Sequence, residues 1–553
     1  MPMLRRAGFL PLLLLLVVFA GCSRCGKEAA GPAESPRGVS RYLPRTAQAA
    51  VVIDDLGTLG EKLARFQNLK VASFVAQLQN FPSAERYVSA VMRQVGVDLR
   101  SRKALEDAGI DPKRGAGAAF LGGTQAVSVL GVKDADKLKT TFATFARTRL
   151  GATEEKDAKV DAGRLVTFNR PGSTEPLLGM LFLKHDLVLL SAGAAVPRLS
   201  ELAALPEEQS LAKEPVLEAS LKRLSGDRDF HVWLPGGMGL LPAGSVQGIT
   251  FTGHIEERAV TLRADAPWPD TQASLAALEP KGGESLAGWL PQDSFFVARF
   301  RGDPAQLDGV WPYLAGAQVT RAVQNAGFNV KTEVLDNLKP GMVLALSLAP
   351  NVNLSSGMPD LDLRRTNPFR FVNLVALAEV KDVARGQATL DKVPGFAGGF
   401  GAKVEPTDVN GQKAYLTSYR AGEGAHFALT KDGKLMLAAP RARLESTLAS
   451  LAQPAGTGPV SEDLKSVGKD AALVVLLDLR RLSDAVKALP SAAWGIGGFA
   501  IKATTVRWLD ATDDLRAVTM ALSRKDKALQ AEISLRLTPA PSSTTTTTTP
   551  ATP

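Results

Sequence analysis

Few residues in this sequence are of the types that do chemistry. The 553 residues hold four histidines, His185, His231, His254 and His426, and two cysteines, Cys22 and Cys25. A metal centre needs ligands at helix or hairpin spacing, and no histidine stands at such a distance from another. His185-Asp186 reads as a solvated pair in a turn between strands, and His254 with Glu256 and Glu257 as a surface edge at a strand end. Asp54-Asp55 and Asp513-Asp514 are chain neighbours whose side chains diverge, unlike two carboxyls sharing a proton. No Gly-x-Ser-x-Gly elbow occurs, and the body beyond Cys25 holds no cysteine to act as nucleophile or zinc ligand. The glycines of 115–120 lack the preceding strand of a dinucleotide turn, those of 395–403 lack a phosphate-loop ending, and both stretches read as turns. Arg301-Gly302-Asp303 reads as a turn after a strand. No metal and no cofactor is expected, and the balance lies against an enzyme. A hydrolase with carboxylates gathered from distant segments remains the alternative, since such pairs need no local motif.

The N-terminus carries a different kind of chemistry. Arg5 and Arg6 precede an apolar run over 9–19 that is too short to span a bilayer, the pattern of a signal peptide over 1–21. It ends in Phe19-Ala20-Gly21-Cys22, which resembles the lipobox of bacterial lipoproteins, with Phe19 where that family usually has Leu, Val or Ile. The resemblance implies cleavage before Cys22, a diacylglycerol on its thiol and, in many bacteria, an acyl chain such as palmitate on the freed amine. Two or more chains give an effectively permanent anchor. Ser23 stands where the family's inner-membrane retention signal has Asp, so the resemblance places the protein on the outer membrane of the cell envelope, periplasmic or surface-facing. Cys25 is left as a free thiol. Residues 22–41 read as a flexible tether, and the Thr- and Pro-rich 539–553 as a disordered tail.

Removing Arg5 and Arg6 with the leader takes the formal charge from +9 to +7. Over so long a chain this is no nucleic-acid footprint. With 45% hydrophobic and 22% charged residues, the chain belongs with globular proteins and should divide into two or three domains.

The body reads as one design written twice. Tyr42-Leu43-Pro44 before a strand answers to Trp289-Leu290-Pro291. Ala108-Gly109-Ile110-Asp111 answers to Ala326-Gly327-Phe328-Asn329, and Val132-Lys133-Asp134 to Val380-Lys381-Asp382. Arg258-Ala259-Val260-Thr261 returns as Arg516-Ala517-Val518-Thr519. Alternating runs at 125–132, 164–168, 177–183, 246–254 and 258–264 read as strands, with hairpin turns at Asn410-Gly411 and Asp432-Gly433. Hairpins favour an antiparallel sheet. The expectation is α+β: two similar lobes over 42–270 and 286–538, each a mainly antiparallel sheet with helices on a face, joined by a linker at 271–285. The body also resembles an uncharacterised group of bacterial envelope proteins, through the Leu-Pro openings and Gly109-Ile110-Asp111-Pro112. That resemblance implies no activity.

Two Gly-rich apolar stretches without helix or strand pattern, 235–242 and 492–499, are the candidate contact loops, through Met238, Leu240, Leu241, Trp494, Ile496 and Phe499. Packing beneath the loop competes with a role in touching membrane, ligand or partner. The functional expectation is a non-enzymatic binding or scaffold lipoprotein whose paired lobes recognise an envelope protein, lipid or glycan, with the hydrolase site placed, in the alternative, in the cleft between lobes.

Overall fold

The computed structural model describes residues 37–236, 246–268, 273–281, 286–309, 324, 327–349, 352, 368–398, 402–419, 422–456, 458–468, 470–495 and 498–538. Ten strands come from the first half: β1 (Ala49–Ile53), β2 (Ala116–Gly122), β3 (Gln125–Gly131), β4 (Glu154–Val160), β5 (Gly163–Asn169), β6 (Pro176–Leu183), β7 (Leu187–Ala192), β8 (Phe230–Pro235), β9 (Gly248–Ile255) and β10 (Ala259–Pro267). The second half supplies β11 (Phe296–Phe300), β12 (Met342–Leu348), β13 (Val372–Glu379), β14 (Ala402–Val409), β15 (Gln412–Tyr419), β16 (Gly422–Glu423), β17 (His426–Leu429), β18 (Lys434–Ala439), β19 (Leu473–Asp478), β20 (Leu515–Lys525) and β21 (Ala528–Leu537).

Every described pairing between them is antiparallel, and the fold is α+β. The first half runs β4-β5-β6-β7-β3-β2-β1-β8-β9-β10. Pairing of β10 with β21 continues it into β20-β19-β11-β12-β13-β18-β17-β15-β14, with the short β16 beside β15. The halves are thus joined by a strand pair in register from Ala259↔Arg536 to Pro267↔Ala528. At its centre Arg263 bonds Glu532 at 2.9 Å. Beside it Asp265, fully buried, accepts from Ser220 (2.6 Å), from both arms of Arg223 (2.6 and 2.9 Å) and from Gln530 (3.3 Å). Both seam carboxylates are paired with arginine, Glu532 with Arg263 and Asp265 with Arg223.

Helices lie on both faces of the sheet, where one face was expected. On one face α1 (Arg37–Ser40), α7 (Arg198–Ala203) and α8 (Pro215–Arg223) cover the first half, enclosing Val52, Val127, Leu181 and Leu189 with Val39, Leu199 and Leu217. The folded body therefore begins inside the stretch expected to be tether: Val39 and Leu43 are fully buried and bring the chain in at residue 37. On the same face of the second half, α11 (Arg441–Leu451) and α12 (Pro459–Ser466) close a core of Val297, Val343, Val375 and Met436.

The other face carries α2 (Leu56–Ala64), α3 (Lys70–Leu78), α4 (Ala84–Val95), α5 (Arg102–Asp107) and α6 (Ala135–Phe145), then α9 (Val330–Glu333), α10 (Val383–Ala397), α13 (Leu479–Lys487) and α14 (Gly498–Ala511). Between residues 56 and 78 the chain forms α2, a 3-10 turn at Arg65–Asn68 and α3. The stretch 115–120, read as a turn, is strand β2. Its small residues let the backbone approach closely: a Cβ on Gly117 would lie 2.5 Å from Val39. In the expected linker, Ala273–Leu278 forms a 3-10 segment against which Gly302 packs, so the Arg-Gly-Asp tripeptide lies against protein at its centre.

One repeated motif, Val132-Lys133-Asp134 with Val380-Lys381-Asp382, falls at matching places. The expected match of 108–111 with 326–329 does not hold, because Leu338 and not Phe328 takes the place of Ile110. Val132 makes an isolated bridge with Ile110 and Val380 one with Leu338, while Asp134 and Asp382 each accept a backbone N–H three residues on. The Arg-Ala-Val-Thr match does not correspond: its first copy enters β10, the seam strand, and its second lies in β20, one strand further in.

Candidate functional site

The strands β11, β12, β13 and β18 alternate, so every second side chain points away from the core just described. Those outward residues are apolar too. In register across the sheet they run Ala298↔Leu344 and Phe300↔Met342, Leu344↔Ala376, then Ala376↔Leu437 and Ala378↔Leu435. A half-buried sheet facing water would carry polar residues here. The alanines at 298, 376 and 378 form the floor of a trough, and Phe300, Met342, Leu344, Leu435 and Leu437 stand around it. The result is a cavity of about 280 Å³ whose lining residues include no titratable or hydroxyl side chain. Both faces of these strands being apolar is why the sequence reads as buried strand throughout and hides the groove.

In the first half, this face of β1, β2 and β8 is covered. Ile53, Ala116 and Phe230 are buried beneath Leu59 of α2, with Leu56, Leu63 and Phe66 packed alongside.

At the end of these first-half strands lies a polar cluster assembled from three distant segments. Asp229 accepts from Lys62 of α2 and from the Ile255 backbone at 2.7 Å, with His254 Nδ1 at 3.4 Å. Burial raises the Asp229 carboxyl, but the facing His254 imidazole and the hydrogen bond from Lys62 outweigh it and hold the group below the usual carboxylate range. Asp54 is shifted upward by burial, against the pull of Arg228 at 3.4 Å. His231 is enclosed, its Nδ1 has no partner among the described residues, and burial reinforced by Arg228 pushes its pKa down to about 3. His254 is thus not the surface-edge residue expected from sequence; it is half-buried against Asp229. With Asp229 bound to Lys62, the cluster has the character of a structural ion network.

The remaining polar readings resolve into local ties. Asp186 pairs with Arg114, which also bonds the His185 carbonyl. Asp55 caps α2 and meets Arg102, while Asp513 binds Lys487 and Lys70. His426 takes a backbone N–H from Thr417 on Nδ1 and faces Glu423 through Nε2 at 2.8 Å.

Of the candidate contact residues, Met238, Leu240, Leu241 and Ile496 lie outside the described residues, as does Cys22. Trp494 and Phe499 separate sharply. Trp494 is 3% exposed, packed with Val352, Leu489 and Ala493, so it fills a small core and is not a surface contact. Phe499 is 85% exposed and stands on helix α14, not in a loop. The apolar positions of α14 form no three-four stripe, which is why the helix escaped a reading based on periodicity.

Among the described residues no group of three or more His, Cys, Asp or Glu side chains is placed to hold a metal, and no helix is long and apolar enough to cross a membrane. No family model matches the chain. Among solved structures the chain is similar to TP0453: crystal form I aligns at 11% identity over 47% of this chain and 82% of that one, with a TM-score of 0.24. Crystal form III aligns at 9% identity over 44% and 83%, with a TM-score of 0.23. No property of TP0453 is carried over at that level of likeness.

Proposed function

We propose that this chain is a lipid-anchored protein of the bacterial cell envelope that binds, without catalysis, a ligand bearing an acyl chain in the groove of its second half. The observation that carries the ligand class is the lining. A 280 Å³ trough surrounded by Phe300, Met342, Leu344, Leu435 and Leu437, with no polar side chain to satisfy a glycan or a peptide backbone, suits a hydrocarbon tail. Support for the anchor is the leader with Arg5 and Arg6 ending in Phe19-Ala20-Gly21-Cys22. Residence on the outer membrane belongs to the same reading. The body is further read as an internal duplication, supported by the common strand order on either side of the β10–β21 pair and by the matching bridges at Val132 and Val380. On this reading the first copy has its sheet face capped by α2, while among the described residues the second copy's equivalent strands line the groove that takes the ligand.

The test is lipid extraction and mass spectrometry of the protein purified from its own membranes, beside displacement of a fluorescent fatty acid. Ala376→Asp and Leu344→Asp each place a carboxylate where an acyl chain would exclude water, and weaken fatty-acid binding by about a hundredfold. Leu262→Asp, at an exposed position on the seam, leaves it unchanged. Equal binding in all three variants, with melting curves matching the parent, would refute the groove.

A further inference from the structure

Large apolar side chains exposed to water are few among the described residues, and they cluster. Four of the seven, Leu78, Phe499, Ile501 and Trp508, lie on α3 and α14, two helices that pack together through an edge-on contact of Phe74 with Trp508 at 4.2 Å. Lys70 of α3 bonds Asp513 just beyond α14 at 3.2 Å and fixes the pair at its far end. The outer surface of α14 remains open, with Ile501 55% exposed and Trp508 47%.

The charges around this ridge are not acidic. Asp510 and Asp513 are paired with Lys487 at 2.8 and 3.0 Å, while Arg507 is exposed and Lys502 half-buried on α14 itself. Trp508 joins an apolar ring to a polar N–H, a combination suited to the boundary between headgroups and hydrocarbon. The chain outside the described structure limits what can meet the ridge. Fifteen residues, 22–36, separate the start of the mature chain from Arg37, a span of at most roughly 50 Å.

We infer that the α3–α14 ridge rests on the bilayer that holds the Cys22 lipid, with Phe499 and Ile501 entering the acyl boundary and Arg507 among anionic headgroups. The inference rests on the lipid-anchor reading above and adds a second, non-covalent contact that sets which side of the body faces the membrane. Arg37 enters on the opposite face of the sheet from the ridge. A tether of that length therefore holds the body beside the bilayer, and a modest affinity of the ridge selects the side that faces it.

The experiment uses the full lipidated chain in vesicles of phosphatidylethanolamine and phosphatidylglycerol. Cys25→Ser leaves no competing free thiol, and Ile501→Cys carries an environment-sensitive dye. The control dye sits at Ser446→Cys, exposed on α11 across the sheet. The dye at 501 should shift to the blue and lose intensity to lipids brominated on their chains, while the dye at 446 does neither. Adding Phe499→Ser should return the 501 dye to its emission in water. Identical, water-like emission at 501 and 446 in the anchored protein would overturn the inference. Mass spectrometry of Cys22 reads the anchor separately. If Cys22 carries no lipid, Cys22→Ser is added so that 501 holds the one reactive thiol, and the labelled chain is added to vesicles from solution, where a blue shift at 501 upholds the ridge and its absence overturns it.

Discussion

His231 offers a quantitative check on the packing of the first half. Its imidazole lies 3% exposed on β8, beside Trp233 on the same face, and its pKa of about 3 means that it stays neutral when folded while an unfolded chain titrates near 6.5. The folded state binds fewer protons between those values, so stability is fully present above about pH 6.5 and is lost as pH falls toward 3. From pH 7 to pH 5 the loss from this residue is about 2 kcal/mol, following the slope of about 1.4 kcal/mol per unit below pH 6.5. His231→Gln removes the titration and keeps a side chain of similar size. Urea unfolding of both proteins at pH 7 and pH 5, followed by far-ultraviolet circular dichroism, measures the difference directly. The parent should lose about 2 kcal/mol more than the variant over that interval. Carboxylates held low, such as Asp229, enter only at more acidic pH and do not confuse the window. Equal losses in parent and variant would mean that water reaches His231 or that it gains a partner on protonation, and the reasoning from burial would fail.

Two further predictions concern stability. Asp265→Ala strips Arg223 of its buried counter-ion at the seam and should cost about 3–5 kcal/mol in chemical unfolding, whereas Asp265→Leu combined with Arg223→Leu should recover most of that. Trp494→Ser should cost about 3–5 kcal/mol by opening a cavity among Leu489, Ala493 and Val352, while Phe499→Ser should change stability by no more than about 0.5 kcal/mol; unfolding curves of the two variants make the comparison.

Where neighbours in sequence are also neighbours in space, the sequence was a good guide. The alternating run 125–132 became β3 at Gln125–Gly131, and Asn410-Gly411 makes a tight hairpin with both residues at positive φ, as its type requires. The antiparallel α+β class followed from such hairpins. Legibility ended where tertiary contact decides. Strand β2 is Ala-Gly-Ala-Ala-Phe-Leu-Gly and offers no contrast of polar and apolar residues, and its glycine at 117 admits the close approach of Val39 and Leu43. The Arg-Ala-Val-Thr repeat was identical in letters and different in position, since four residues fix no place in a sheet. The groove was hidden for a related reason: its lining runs from Ala298 to Leu437, and each residue matches in type those on the buried face of the same strand. Lys62, Asp229 and His254 likewise meet only after β1, β8 and β9 have been laid side by side.

An open sheet of this width still ends somewhere, and its two terminal strands decide how it treats its neighbours. Strand β4 presents Glu154, Glu155, Lys156, Asp157 and Lys159 in succession, all exposed, and β14 carries Lys403, Glu405, Pro406 and Asp408 at its own margin. Either edge offers unpaired backbone groups that a second chain could match by hydrogen bonding. Alternating charge penalises a misaligned copy, and a proline nitrogen has no hydrogen to donate. Copies crowded side by side on a surface would otherwise zip into ribbons. Charge and proline on these two strands therefore disfavour edge-to-edge pairing of copies of a protein whose sheet runs through both halves.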